Sequence, residues 1–147
     1  PLSRYKKFIS DKCVALLGPQ HMLLREEFLN PIPKKTNLEN KTLNILVFMG
    51  GADLTNETAK VLRALDLIKS YKFHANVIIG GSNPFYSIIE DMCEERDYTT
   101  LHQNISNMSE LCNESDMAMG AGGVATLERC FMGLPSLVML TANNQME

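Results

Sequence analysis

A run of small residues followed by a single carboxylate is the part of this sequence whose types and spacing point most directly to chemistry. Residues 120–125 read GAGGVA, and Glu128 follows Gly123 by five positions. A glycine-rich turn that enters a helix presents backbone N–H groups and the positive end of the helix dipole, which favour a phosphate. Glu128 then lies about a turn and a half into the helix. It either accepts hydrogen bonds from vicinal hydroxyls, as ribose provides, or is a solvated residue beside Arg129.

The same run formally fits the dinucleotide fingerprint G-x-G-x-x-A. That fingerprint belongs after the first strand of a sheet, with an acidic residue about 20 positions later at the end of the next strand. Here the run follows the fourth strand of a repeat, and the next strand ends at Thr141 without a carboxylate. This context argues against NAD or flavin, and we expect the chain to use no cofactor.

Short apolar runs alternate with amphipathic ones over most of the chain. Strands are predicted at residues 44–49, 76–79, 98–101, 116–119 and 136–140. The stretches between them have helical character, as in the apolar stripe from Val61 to Ile68. Repeated strand–helix units predict an α/β fold, a Rossmann-like parallel sheet with helices on both faces. Glycines 50–51, 80–81 and 120–123 follow strands, where such sheets bind ligands.

Composition excludes several classes of function. The 147 residues carry a net charge of −3, with 45% hydrophobic and 21% charged residues. This mild acidity argues against nucleic acid as a partner, and no apolar stretch approaches the roughly 20 residues of a membrane span. The four cysteines and three histidines lack the clustered spacing of a zinc site, so we expect no metal. The cysteines are expected to be buried free thiols in a cytoplasmic protein.

The first 42 residues do not follow the strand–helix repeat. Residues 13–17 predict another strand, and the proline- and lysine-containing stretch 31–35 has the composition of a linker. We therefore predict residues 1–30 as a remnant of a preceding domain, 31–42 as a linker and 43–147 as the Rossmann-like domain. Because the chain lacks an initiating Met and stops where a further helix should open, we expect it to be cut at both ends.

Several motifs occur in a fixed order that is typical of one family. They read LLGPQ at 16–20, MGGAD at 49–53, VIIG at 77–80, NISNM at 104–108, GAGGVATLERC at 120–130, GLPS at 133–136 and NQ at 144–145. Together they resemble the carboxyl-terminal half of the UDP-sugar hydrolase of pseudaminic acid biosynthesis. Spore-coat polysaccharide proteins and, more distantly, a GT-B-fold N-acetylglucosaminyltransferase are related to that hydrolase. The resemblance implies the carboxyl-terminal domain of a GT-B-like fold that holds UDP.

The resemblance also implies roles for individual residues. Gly122 and Gly123 would give backbone N–H groups to the diphosphate, and Glu128 would bind the ribose hydroxyls. The backbone of Ile105 would read the edge of uracil, with Met108 packing nearby. Met108 on its own is equally explained by core packing on a short helix.

Two further pairs complete the nucleotide-binding set that the resemblance implies. Gly50 and Gly51 would face the phosphates and sugar, and Asn144 and Gln145 match a polar pair at the cleft floor. For Asn144 and Gln145 the alternative is a solvated loop.

The implied activity is release of UDP from a UDP-diacetamido-trideoxy-sugar without a metal. Family catalysis depends on a histidine in a Gly-rich loop of the amino-terminal domain, and no such segment is present here. The catalytic residues are therefore unknown, and this chain alone should bind UDP or a UDP-sugar weakly and turn over nothing. Its partner would be the missing amino-terminal domain. Two alternatives stay open: the donor domain of a GT-B glycosyltransferase, and a non-catalytic UDP-sugar-binding subunit.

Overall fold

A five-stranded parallel sheet forms the centre of the fold. The computed structural model describes residues 5, 7–10, 12–29 and 42–141. Its strands are β1 (Leu43–Phe48), β2 (Phe73–Ile79), β3 (Thr99–Gln103), β4 (Met117–Ala121) and β5 (Ser136–Met139). Their order across the sheet is β3-β2-β1-β4-β5, and every neighbouring pair is parallel. The direction of winding therefore reverses between β1 and β4, the place where ligands bind in open α/β sheets.

Four helices connect the strands, close to the predicted positions. They are α1 (Glu57–Leu65), α2 (Tyr86–Glu94), α3 (Met108–Glu114) and α4 (Val124–Phe131). The helix predicted to reach Ile68 ends earlier, at Leu65, and Ile68 lies in the following turn. Within the described ranges, none of these helices is long and apolar enough to cross a bilayer.

Apolar side chains alternate between the two faces of the sheet, and each face has its own core. Ile45 and Val47 pack on one face with residues of α1 and α2. Leu46, between them in the sequence, packs on the other face with Met108 and Leu111 of α3. Successive strand residues point to opposite faces, so a strand buried on both faces has to be apolar throughout. The predicted fold class, a Rossmann-like parallel sheet with helices, is confirmed.

The strand predicted at residues 13–17 is wrong. These residues form no strand, and Val14 and Leu16 are 83% and 66% exposed. The run is apolar but pairs with no strand of the sheet, and an apolar run without a neighbouring strand does not form a ladder. Short 3-10 turns follow at Pro19–His21 and Glu26–Phe28.

The turn Glu26–Phe28 packs against the domain that follows it. Phe28 is completely buried and belongs to the same core as Leu46, Met108 and Leu111. Its neighbours Arg25 and Glu27 make polar contacts with the same side of the molecule. Residues 30–41, which include nearly all of the predicted linker, lie outside the described residues.

Candidate functional site

A cavity of about 380 Å³ opens at the carboxyl edge of the sheet, beside the reversal between β1 and β4. Its wall is formed by the ends of β1 and β2, the loop before α3, the start of α4 and the side chain of Arg25. This is the edge at which parallel α/β sheets bind small molecules.

Four residues of the predicted binding set line this cavity: Gly51, Ile105, Met108 and Glu128. They come from four separate places in the chain, and the fold brings them together because the carboxyl ends of parallel strands share one edge. Met108 is 6% exposed and also belongs to the core of that face of the sheet. Core packing and cavity lining are therefore both roles of the same side chain.

Of the remaining members of the predicted set, those that the structure describes are not among the residues that line the cavity. Gly50 adjoins Gly51 in the turn after β1, with a left-handed φ of 93°. Gly122 and Gly123 immediately precede Val124, a residue of the cavity wall. Asn144 and Gln145 lie outside the described residues.

The glycine turn after β4 differs in one respect from the arrangement that the resemblance implies. The N–H of Gly122 donates to the carbonyl of Met139 at 3.0 Å, which extends the pairing of β4 with β5. Thr126 N–H donates to the carbonyl of Gly123 at 3.0 Å and closes the first turn of α4. Gly122 N–H is thus engaged within the sheet, and Val124 and Ala125 are the residues of α4 that come before its first bonded N–H group.

Arg129 lies buried behind the same turn. It is 2% exposed and donates from Nη2 to the carbonyl of Ala121 at 3.0 Å and to Thr126 Oγ1 at 3.1 Å. A Cβ on Gly120 would come within 2.6 Å of Arg129 Nη1, so only glycine leaves room for the guanidinium. The sequence analysis did not predict that Arg129 is buried against this turn. The glycine at position 120 is the local feature that could have indicated it, because it leaves space for a large neighbouring group.

The guanidinium of Arg129 is a buried positive charge close to the turn after β4. Burial lowers the pKa of Arg129, yet a guanidinium stays charged in proteins. Its Nε has no hydrogen-bond partner among the described residues, and Glu128 is the carboxylate that interacts with the guanidinium electrostatically. The positive potential of this buried charge adds to that of the α4 amino terminus.

Glu128 is held by an arginine that is distant in sequence. Arg25 Nε and Nη2 donate to the two oxygens of the Glu128 carboxylate at 2.8 and 3.1 Å. The hydrogen bond with Glu128 is the main cause that raises the pKa of Arg25. Glu128 is only 5% exposed, which excludes the solvated helix residue that the sequence left open. Arg25 was also missed, because the 103 residues that separate the pair leave no local pattern.

A second cavity, of about 480 Å³, lies at the opposite edge of the sheet. Asp66, His74 and Tyr98 are among its lining residues. Asp66 is already bonded there by Arg96 and Tyr98. Although this cavity is larger, it lies at the amino ends of the strands, away from the winding reversal. The smaller cavity at the carboxyl edge is the candidate site.

His74 in β2 and His102 in β3 are not among the residues that line the cavity of the candidate site. His74 contacts Thr100 Oγ1 at 2.9 Å, and His102 contacts Asn76 Oδ1 at 3.0 Å, both away from the cavity. Burial raises the pKa of Cys112 to about 11, so its thiol is protonated at neutral pH. No three His, Cys, Asp or Glu side chains of the described residues cluster as metal ligands.

The expectation that the cysteines are buried is only half right. Cys93 and Cys112 are buried free thiols, whereas Cys13 and Cys130 are exposed free thiols. Cys13 lies in the segment wrongly predicted as a strand, and Cys130 lies on the exposed side of α4.

Comparison with known proteins gives two similar chains. An uncharacterized protein of Methanocaldococcus jannaschii is 31% identical over 144 residues, which cover 93% of this chain and 29% of that protein. The spore coat polysaccharide biosynthesis protein SpsG of Bacillus subtilis is 26% identical over 129 residues, which cover 87% of this chain and 38% of SpsG. No protein-family model matches the chain. The chain thus spans well under half the length of these relatives.

Proposed function

We propose that this chain is the nucleotide-binding half of an enzyme that hydrolyses a UDP-sugar. Water would attack the bond between sugar and diphosphate, giving UDP and a free diacetamido-trideoxy-sugar for a pseudaminic acid-type or other surface polysaccharide. The observation that carries the proposal is the placement of Glu128. A nearly buried carboxylate in the cavity wall, beside a helix amino terminus, suits a ligand that joins a phosphate to vicinal hydroxyls.

Three further observations support this proposal. The similarity to SpsG, a protein named for spore coat polysaccharide biosynthesis, agrees with a sugar nucleotide as ligand. The cavity of about 380 Å³ is within the range of small-molecule sites. The buried charge of Arg129 makes the turn after β4 suitable for a diphosphate.

Calorimetric titration of the 147-residue chain with UDP and with ADP tests the binding half of the proposal. UDP should bind more tightly, because a pocket that reads uracil through main-chain groups leaves them unpaired with adenine. Glu128→Ala should weaken UDP binding by roughly 1–3 kcal/mol, the scale of hydrogen bonds to a charged group. Glu94→Ala removes an exposed carboxylate from α2 and serves as the matched control. Identical titration curves for Glu128→Ala and the unmodified chain would exclude ribose recognition by Glu128.

The chemical half of the proposal concerns the longer protein, since this chain spans 29% and 38% of its relatives. A full-length protein that contains this chain should release UDP from a UDP-amino-deoxysugar in the absence of any acceptor. UDP release only when an acceptor alcohol is added would favour the glycosyltransferase instead. Binding without turnover under either condition would favour a non-catalytic binding subunit.

A further inference from the structure

We propose that Arg25 is a positioning residue that sets the Glu128 carboxylate for recognition of the two ribose hydroxyls. The observation that supports this proposal is a bidentate ion pair between Arg25 and Glu128 at the cavity wall. Arg25 lies in a segment that precedes the sheet domain, and Glu128 lies in α4, the helix that follows β4. The inference rests on the proposed function, since it assigns a role within the same nucleotide site.

The geometry of the pair leaves part of the carboxylate available. A carboxylate has about four lone-pair positions on its two oxygens. The guanidinium fork takes one on each oxygen, at 2.8 and 3.1 Å. One lone pair on each oxygen is left, which matches the two donors of a vicinal diol.

Arg25 is itself held in place from two sides. Its Nη1 lies 2.8 Å from Glu27 Oε1, and its guanidinium carbon lies 5.1 Å from the centre of the Phe28 ring. Glu27 in turn accepts the N–H of Ser109 at 2.9 Å, at the start of α3. The ion pairs of Arg25 therefore connect α3 with α4, the two helices on either side of the cavity.

The burial of Glu128 makes the arginine necessary. The side chain of Glu128 is 7% exposed, whereas that of Arg25 is 48% exposed. Among the described residues, the guanidinium fork is what fixes the two oxygens of Glu128, and a buried carboxylate that has lost its partner turns toward solvent. The two acceptors then no longer face the cavity together, so loss of Arg25 should be seen as a loss of hydroxyl recognition.

The test compares UDP with 2′,3′-dideoxyuridine diphosphate, which lacks both hydroxyls, by calorimetric titration of the 147-residue chain. The unmodified chain should prefer UDP by about ten- to a hundredfold, as expected for hydrogen bonds to a charged group. In Arg25→Ala this preference should fall to about threefold or less, while affinity for the dideoxy analogue changes little. Arg25→Lys should give an intermediate preference, because an ammonium keeps the charge but not the fork.

Arg63→Ala, which removes an exposed arginine from α1, is the matched control and should keep the full preference. An undiminished preference in Arg25→Ala and Arg25→Lys would overturn this inference and leave the proposed function intact. If Arg25→Ala bound UDP and the dideoxy analogue more weakly by the same factor, the inference would also be overturned, because Arg25 would then have only a structural role. Failure of the unmodified chain to bind UDP would overturn the proposed function itself. If Arg25→Ala does not fold, the preference measured in Arg25→Lys decides.

Discussion

At Gly123, next to the candidate site, the backbone conformation itself constrains which amino acid can be present. Its φ of 109° and ψ of −159° lie in a region that is essentially restricted to glycine. A Cβ at this position would have no atom within 4 Å, so a substitution there meets no steric obstacle. Any cost of a side chain at Gly123 must therefore come from backbone strain alone.

Gly123→Ala should lower the free energy of unfolding by about 1–3 kcal/mol, the usual cost of such a conformation for a non-glycine residue. The control is Gly51→Ala, which also introduces a Cβ into open space but at a glycine without positive φ. Gly51→Ala should change the free energy of unfolding by less than about 1 kcal/mol. Urea unfolding followed by circular dichroism measures both, and equal midpoints for the two variants would contradict the role of φ.

Asp53, in the turn after β1, stabilises the start of α1. Asp53 Oδ1 accepts the N–H of Glu57 at 2.8 Å, and Oδ2 accepts the N–H of Thr58 at 2.9 Å. Asn56 Oδ1 accepts the N–H of Ala59 at 3.3 Å. Both oxygens of Asp53 are thus engaged in capping, so this carboxylate is a structural element of the motif after β1.

Asp53→Ala should lower the free energy of unfolding by about 1–2 kcal/mol, because it removes the acceptors of two N–H groups at the start of α1. Asp53→Asn should cost less, since asparagine keeps one acceptor oxygen and tolerates the left-handed φ of 41° found here. Urea unfolding again provides the measurement. Equal losses in Asp53→Asn and Asp53→Ala would show that the charge, which both variants remove, matters rather than the acceptor oxygen that asparagine keeps.

The elements were largely predictable because each has a local signal. Buried parallel strands require continuous apolar runs, and residues 45–47 show that signal without interruption. The apolar run at residues 13–17 has the same appearance but forms no strand. Composition describes how apolar a segment is, whereas strand formation also needs a neighbour with free hydrogen-bonding groups.

At the scale of the whole molecule, the contacts that could not be predicted from the sequence are those between segments that are distant in the chain. The depth of Glu128 in α4 follows from its spacing after Gly123, but its partner Arg25 does not. The N–H of Gly122 is taken by Met139, and this depends on the register of β5. Such pairings leave no periodic pattern, because they are set by how complete elements pack against one another.

Packing between distant segments also determines whether residues 25–28 are part of the core of the sheet domain. Phe28 is completely buried among side chains of the sheet and α3, and Leu23, five positions earlier, is 91% exposed. Phe28→Ala should therefore lower the free energy of unfolding by about 3–5 kcal/mol, the cost of losing a buried aromatic side chain and leaving a cavity. Leu23→Ala also replaces a large apolar side chain close to this turn, but it should change the free energy of unfolding by no more than about 0.5 kcal/mol because Leu23 is exposed.

Urea unfolding of the two variants, at equal protein concentration, separates a packed segment from an appended one. Since domains of this size are stable by only about 5–15 kcal/mol, the loss in Phe28→Ala should shift the midpoint strongly. The slope of the transition should be unchanged if the variant unfolds in the same single step. Phe28→Ala and Leu23→Ala with the same midpoint would mean that residues 25–28 contribute nothing to the stability of the sheet domain. The support that this segment gives to Arg25 would then have to come from polar contacts alone.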